Sequence, residues 1–126
     1  MTTDLVRKLG YRGGPAVVVD APSGYDLGIE TAADQGAPLA FVQVFVTGAD
    51  GLRSAVPRLL ARTIPDPVFW VTYPKQGAGV PSDLNRDVIA RIVGEETEFR
   101  VVSNVAIDAT WSALRLRRKT LVKART

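Results

Sequence analysis

The stretch that decides the fold lies near the end of the chain: FRVVSNVAI at residues 99–107, DAT at 108–110 and WSALRLRR at Trp111–Arg118. The first piece is rich in Val and Ile, and in the second piece leucines alternate with arginines; both patterns are typical of strands. Only three residues connect them, whereas a parallel crossover needs a dozen or more. The sequence therefore predicts an antiparallel hairpin of two strands.

Three earlier apolar runs predict the rest of a sheet: AVVV at Ala16–Val19, AFVQVFV at residues 40–46 and VFWVTY at residues 68–73. These runs are continuous rather than alternating, and Gln43 is the one polar interruption of the second run. A continuous apolar run is typical of a strand that is covered on both faces. We therefore expect these segments to be central strands of a mostly parallel sheet.

Two helices are predicted between these strands. In the first, Asp50 is placed to cap the helix, and Pro57 predicts a kink or a split into two pieces. Its apolar residues fall at helical spacing: Leu52, Ala55, Val56, Leu59 and Leu60. The second would begin at a Ser82 cap and end at Gly94, with apolar positions at Leu84, Val88, Ile89 and Ile92.

The two remaining segments give weaker helix patterns. Residues 6–9, ended by Gly10, predict one short helical turn at most, and residues 25–31 predict a turn or two. The resulting order of elements is β-α-β-α-β-α-β-β. Right-handed crossovers would then place helices on both faces of the sheet.

This order resembles the later part of a Rossmann-like methyltransferase, whose parallel strands finish with an antiparallel pair. The resemblance implies a three-layer, Rossmann-like α/β domain with a five-stranded mixed sheet in order 1-2-3-5-4, in which only the last strand is antiparallel. We assign residues 1–118 to this single domain and residues 119–126 to a basic C-terminal tail. A likeness of fold does not fix chemistry.

Composition excludes several classes of protein. The chain has 126 residues and neither Cys nor His, so it has no disulfides, no zinc site of the usual kind and no Cys- or His-dependent catalytic triad. We expect no metal site. The N-terminus has no signal-peptide pattern, and no apolar run approaches the roughly 18 residues of a membrane span. These features predict a cytoplasmic protein that does not enter a membrane.

Motifs for nucleotide cofactors are missing as well. The turn after the first strand, residues 20–25, has one Gly, and Pro22 removes an N–H donor. Binding of adenosylmethionine or NAD would need a glycine-rich turn there. The sequence also contains neither a Walker-type GxxxxGK[ST] segment nor a GxSxG nucleophile elbow. We therefore expect no cofactor.

The loops that follow the strands would meet at one edge of the sheet, the carboxyl rim, where open α/β sheets bind ligands. The candidate ligand-binding residues of this rim are Asp20, Ser23, Gly24, Tyr25, Lys75, Gly79, Asp108 and Trp111. The strand order would bring Lys75 and Asp108 to within a water-bridged distance, beside the loop at residues 20–25. A structural ion pair of small net value is the alternative interpretation of these two residues.

Three segments carry a resemblance to a known family: YPK at residues 73–75, GVPSDL at 79–84 and AIDATWSALR at 106–115. They resemble the bacterial Domain of Unknown Function 3052 family. Members also have a Lys-Leu-Gly segment like residues 8–10 and an Ala-Pro-x-Gly-aromatic turn like residues 21–25.

The resemblance runs from about residue 7 to residue 118, and Pro81 and Arg86 depart from the family pattern. No activity is established for the family. The resemblance therefore implies the fold order and the importance of the rim, and it implies no reaction.

Charge is concentrated at the end of the chain. The net charge is +3, but the last twelve residues contain no acid and six basic residues: Arg115, Arg117, Arg118, Lys119, Lys123 and Arg125. The rest of the chain has 10 basic and 13 acidic residues. Aromatic residues are not interleaved with the basic ones, as they would be in many nucleic-acid binders.

Three hypotheses of function follow from these observations. The first is a non-catalytic binding or regulatory domain, working through a protein partner. The second is a small-ligand-binding protein, or an enzyme, that uses the carboxyl rim. The third is binding of nucleic acid or another polyanion through the basic tail.

Overall fold

The computed structural model describes residues 2–25, 27 and 38–121. In chain order the elements are α1 (Thr2–Lys8), β1 (Ala16–Val19), β2 (Leu39–Phe45), α2 (Ala49–Leu60), β3 (Thr63–Pro74), α3 (Arg86–Glu96), β4 (Phe99–Ala106) and β5 (Trp111–Arg118), followed by a short 3-10 turn at Lys119–Leu121. Apart from Tyr25 and Leu27, the helix predicted over residues 25–31 lies outside the described residues.

The five strands form one sheet in the order β1-β2-β3-β5-β4, which confirms the prediction. The pairs β1–β2 and β2–β3 are parallel. Strand β5 is antiparallel to both of its neighbours, because the hairpin with β4 turns it back between β3 and β4. The carboxyl ends of β1, β2 and β3 therefore lie at the same edge as the β4–β5 turn.

One face of the sheet, which we call the helix face, is covered by both α2 and α3. Buried Leu52, Val56 and Ile89 pack there with Val42, Val44 and other strand residues in one apolar cluster. The two helices share this face because the chain moves in the same direction along the sheet from β2 to β3 and from β3 to β4, and right-handed crossovers then stay on one side.

The opposite face, which we call the α1 face, is covered by α1 and by residues that follow it. Leu9 is completely buried there, and its carbonyl accepts a 2.7 Å hydrogen bond from the Trp70 indole. Helices lie on both faces, as expected, and the two described crossover helices, α2 and α3, share one of them. The crossover between β1 and β2 lies mostly outside the described residues. The expectation of a single turn at residues 6–9 was wrong, since α1 runs from Thr2 to Lys8. Tertiary packing of Leu5, Val6 and Leu9 stabilises a helix too short to form alone.

Helix α2 differs from its prediction at two points. It runs through Pro57 as one helix, and the exposed position of Pro57 allows the unpaired carbonyl one turn earlier to reach water. Its N-cap is Gly48, and Asp50 lies in the first turn instead. The missing cap is supplied from another loop, because Oδ1 of Asp83 accepts a 2.9 Å hydrogen bond from the Ala49 N–H.

Helix α3 begins later and ends later than predicted. Its N-cap is Asn85, whose side chain accepts a 2.9 Å hydrogen bond from the Val88 N–H. Ser82 instead accepts a hydrogen bond from the Leu84 N–H, in the loop before the helix. The helix continues past Gly94, and Thr97 caps its C-terminus with a bond from its N–H to the carbonyl of Val93.

Candidate functional site

A cleft of about 370 Å³ opens on the helix face where β3 and β5 meet the start of α3. Its lining residues are Tyr73, Lys75, Gln76, Asn85, Arg86, Asp87 and Ser112. The volume falls within the range of small-molecule sites, and the position is the carboxyl edge at which open α/β sheets bind ligands.

Two hydroxyl-bearing side chains lie side by side in this cleft. Tyr73 at the end of β3 is paired with Ser112 near the start of β5, so both side chains lie on the same face of the sheet. Both residues are nearly buried, with 9% and 8% of their surfaces exposed. Ser112 Oγ lies 3.5 Å from the carbonyl oxygen of Val105, which is a weak contact. Both hydroxyls can therefore bond to a ligand.

Lys75 is placed at the mouth of the cleft by its backbone. Its N–H donates a 2.8 Å hydrogen bond to the carbonyl of Thr110 in the β4–β5 turn, and its carbonyl accepts one from Ala78. Within the described residues, no hydrogen bond or ion pair occupies its side-chain amino group. The Lys75 side chain therefore brings an unpaired positive charge to the cleft.

The N-terminus of α3 forms another part of the cleft lining. Asn85 satisfies the Val88 N–H, and the carbonyl of Asn85 accepts from the Ile89 N–H. The N–H groups of Arg86 and Asp87 have no acceptor inside the helix, as in the first turn of any α-helix. The helix dipole adds partial positive charge at this end. With Lys75, Arg86 and Asp87, the lining side chains carry a net charge of +1.

On the α1 face, the candidate residue Tyr25 belongs to a buried polar chain. Its hydroxyl donates a 2.6 Å hydrogen bond to Oε1 of Gln43, and Nε2 of Gln43 donates to Oγ1 of Thr72 at 3.1 Å. Burial raises the pKa of the Tyr25 phenol, and the negative charge of Asp108 raises it further. This chain connects three neighbouring segments and has a structural role.

The candidate Trp111 packs at the same end of the α1 face. The ring of Phe45 lies between Tyr25 and Trp111, with edge-on contacts at centroid distances of 4.9 and 5.2 Å. Such edge-to-face geometry is the ordinary preference of packed aromatic rings. Tyr25 and Trp111 are therefore placed near one another, but on the other side of the sheet from the cleft.

Asp108 is occupied within its own turn. Its Oδ1 accepts hydrogen bonds from the N–H groups of Thr110 at 2.8 Å and Trp111 at 2.9 Å. Lys75 is adjacent to this turn through the backbone, as predicted, but no ion pair joins it to Asp108 in the described part of the chain. Lys75 lines the cleft, whereas the charge of Asp108 acts on Tyr25.

The remaining candidate residues lie in exposed loops. Asp20 has a positive φ of 60°, directly after β1, and Ser23 lies in the turn that follows it. Gly24 and Gly79 have φ values of 86° and 88°, which only glycine adopts without strain. None of these four lines the cleft.

Of the sequence-predicted residues, the structure thus places Lys75 alone in the cleft. Sequence reasoning missed Tyr73, Ser112, Asn85 and Arg86 as lining residues. The pairing of Tyr73 with Ser112 follows from the predicted antiparallel arrangement once its register is known.

These features define the protein as an open, five-stranded α/β domain with a polar cleft at the carboxyl edge of its sheet. Comparison with family models, curated proteins and solved structures gives no match in any of the three. None of the helices in the described residues has the length and apolarity needed to cross a membrane. Over residues 2–25, 27 and 38–121, no group of three or more acidic side chains could hold a metal ion.

Proposed function

We propose that this protein binds a small anionic molecule in the cleft at the carboxyl edge, as a non-catalytic binding domain. One observation carries the proposal: Lys75, Arg86 and the N-terminus of α3 all lie on a single 370 Å³ cleft. The class of ligand is a metabolite-sized molecule that carries a carboxylate or a phosphate group.

The chemistry of the lining favours an anion. The ammonium group of Lys75 and the unpaired N–H groups at the start of α3 are donors, and donors to an ionised acceptor form the stronger class of hydrogen bond. The hydroxyls of Tyr73 and Ser112 can donate to the rest of the ligand or accept from it. The carboxylate of Asp87 opposes a second negative charge and limits the charge that the cleft accepts.

The surroundings of Ser112 favour binding over hydrolysis. A serine nucleophile needs a base within hydrogen-bond reach of its hydroxyl. Ser112 Oγ has a backbone carbonyl as its neighbour, at 3.5 Å. The second hypothesis from the sequence joins a small-ligand-binding protein and an enzyme at the rim, and for this reason we favour ligand binding over the enzyme.

The test is a titration followed by amide NMR shifts, with inorganic phosphate and succinate as separate probes. We expect at least one probe to shift the amide signals of Lys75, Arg86 and Asp87. Lys75→Ala should weaken that binding about tenfold or more, because it removes a charged donor. The melting temperature should hardly change, since no described partner loses a bond.

Lys8→Ala is the matched control, because Lys8 is an exposed lysine in the last turn of α1, away from the cleft. It should leave binding unchanged. If neither probe shifts these amides, or if Lys75→Ala binds as tightly as the wild type, the proposal is wrong.

We also propose that the chain belongs to the Domain of Unknown Function 3052 family and that the protein is cytoplasmic. A regulatory role would require a protein partner, which is a proposal as well. Polyanion binding through the tail is a further proposal, and Lys123 and Arg125 lie outside the described residues.

A further inference from the structure

A second concentration of positive charge lies on the α1 face, away from the cleft. Arg115 and Arg117 are two residues apart in β5, so their side chains share one face of the sheet. Arg100 in β4 lies directly opposite Arg117 in the antiparallel ladder and therefore lies on that same face. Two guanidinium groups facing each other across a strand pair repel unless an anion lies between them.

A fourth arginine and one carboxylate complete the cluster, which we call the arginine cluster: Arg12, Arg100, Arg115 and Arg117 with Asp66. Arg12 follows α1, and its charge acts on both Arg115 and Asp66. Asp66 accepts two hydrogen bonds from Arg117, at 3.3 and 3.1 Å. The carboxylate of Asp66 therefore interacts with three guanidinium groups, those of Arg12, Arg115 and Arg117. Arg100 belongs to the cluster because it lies opposite Arg117 in the ladder.

Arg115 is the member of the cluster with a buried donor that has no described partner. Its Nε atom is buried and has no hydrogen-bond partner among the described residues. Burial lowers the pKa of the Arg115 guanidinium, and the positive charges of Arg117 and Arg12 lower it further. A buried, unpaired donor costs free energy, which a bound acceptor would recover.

The other basic residues near the end of the chain do not belong to this cluster. Arg118 lies over the ring of Phe99, 4.8 Å from its centroid, on the helix face, and its Nε donates to the carbonyl of Pro65. Lys119 donates through Nζ to the carbonyl of Gly94, at 2.6 Å. Of the six basic residues at the end of the sequence, the four that the structure describes therefore do not form one continuous basic surface.

We propose that the arginine cluster is a second anion site, which binds the phosphate group of a small phosphate ester. Planar guanidinium groups bind phosphate oxygens in pairs, and the neighbouring strand positions of Arg100, Arg115 and Arg117 match a doubly charged group. Asp66 acts as an internal competitor that holds Arg117 when the site is empty.

The surroundings favour a small ester over a nucleic-acid strand. Sequence-tolerant binding of single strands uses exposed aromatic rings on which bases stack. Trp70, the aromatic residue paired with Arg115 in the ladder, is buried, and its indole N–H is bonded to Leu9. Trp70 therefore offers no stacking surface beside Arg115.

The test measures affinity for inorganic phosphate and for glycerol phosphate from the amide NMR shifts of Arg100 and Arg117, in the full chain, because these signals report the arginine cluster separately from the cleft. We expect Arg115→Gln to weaken binding about tenfold or more, and Asp66→Asn to strengthen it, because the competing carboxylate is removed. Arg115→Lys should fail to restore full affinity, since an ammonium group cannot make a paired contact. Thermal melting of each variant shows whether it is folded.

Two controls separate this site from the cleft. Lys75→Ala should not change phosphate binding at the arginine cluster, and Arg115→Gln should not change the probe-induced amide shifts of Arg86. The proposal is overturned if Asp66→Asn does not raise affinity, or if folded Arg115→Gln binds phosphate like the wild type. Binding of a single-stranded oligonucleotide with no binding of either small phosphate would overturn it as well.

Discussion

The hydroxyl of Tyr25 donates a 2.6 Å hydrogen bond to Oε1 of Gln43, a side chain with no exposed surface in the middle of β2. Gln43 in turn donates to Thr72 on β3, which is also completely buried. A buried amide needs partners for its donor and its acceptor. The loop after β1 is therefore fixed to the sheet through Tyr25, beneath the edge at which the strands end.

Replacing this phenol tests the structural role of the bond. Tyr25→Phe keeps the ring packed on Phe45 but leaves Oε1 of Gln43 without its donor, which should lower the free energy of unfolding by about 1–3 kcal/mol. Urea unfolding measures the change. Tyr11→Phe is the control, because the Tyr11 hydroxyl donates to the exposed carbonyl of Gly14, which water can satisfy. Equal losses in the two variants would contradict the assignment.

The same residue predicts how stability changes in alkali. Burial raises the pKa of the Tyr25 phenol above its ordinary value, so the folded protein holds this proton when the unfolded chain has lost it. Its contribution to stability is therefore complete below the unfolded pKa and decreases as pH rises from about 10. Unfolding measured at several alkaline pH values should show a smaller decrease in Tyr25→Phe. A decrease of the same size in both proteins would contradict the prediction.

The strands show how far local pattern predicts this fold. Strand β5 begins and ends where the sequence predicts. The three-residue connection before Trp111 allows only an antiparallel hairpin, and the alternation of leucine and arginine around Arg115 indicates a strand with one covered face. Strand β3 begins at Thr63, five residues earlier than predicted. The sequence predicts a later start because Pro65 and Pro67 cannot donate hydrogen bonds to a neighbouring strand. Contacts from β5, such as the bond from Arg118 to Pro65, stabilise this part.

The site depends on features that local pattern does not contain. Lys75 was predicted at the rim because it follows a strand, and it does line the cleft. The cleft also needs Ser112 opposite Tyr73, which is a matter of register, and a helix that starts at Arg86. The sequence predicts the cap of that helix at Ser82, whereas the structure has it at Asn85, with Leu84 between them packed in the core.

Asp83 supplies a second stability prediction, because it caps a helix distant in sequence. Its carboxylate accepts from the first N–H of α2, at Ala49, where Gly48 has no side chain to do so. Asp83→Ala should lower the free energy of unfolding by about 0.5–2 kcal/mol, as for other lost N-caps. Asp50→Ala, in the first turn of α2, should cost only a few tenths of a kcal/mol through the helix dipole. Chemical unfolding compares them, and a larger loss in Asp50→Ala would contradict the cap.

Asp108 tests the hairpin turn. Its Oδ1 accepts from the N–H groups of both Thr110 and Trp111, so Asp108→Ala should lower the free energy of unfolding by about 1–2 kcal/mol. Asp108→Asn keeps an acceptor oxygen in the same place and should lose less than half as much. Urea unfolding of both variants gives the comparison. If both lose the same amount, the negative charge of Asp108 matters more than the two hydrogen bonds.

Asp20 is the one non-glycine residue in the described part of the chain with a positive φ, 60°, and it turns the chain at the end of β1. Asp and Asn adopt this left-handed conformation more readily than other non-glycine residues. In Ala the close contact between Cβ and the following carbonyl oxygen raises the free energy of the folded state. Asp20→Ala should therefore lower the free energy of unfolding by about 1 kcal/mol, whereas Asp20→Asn and Asp20→Gly should change it by less than about 0.5 kcal/mol. Thermal and urea unfolding of the three variants provide the measurement. Because Asp20 does not line the cleft, all three variants should bind the phosphate and succinate probes like the wild type. A variant that is stable but loses binding would show instead that this loop contributes to the ligand site.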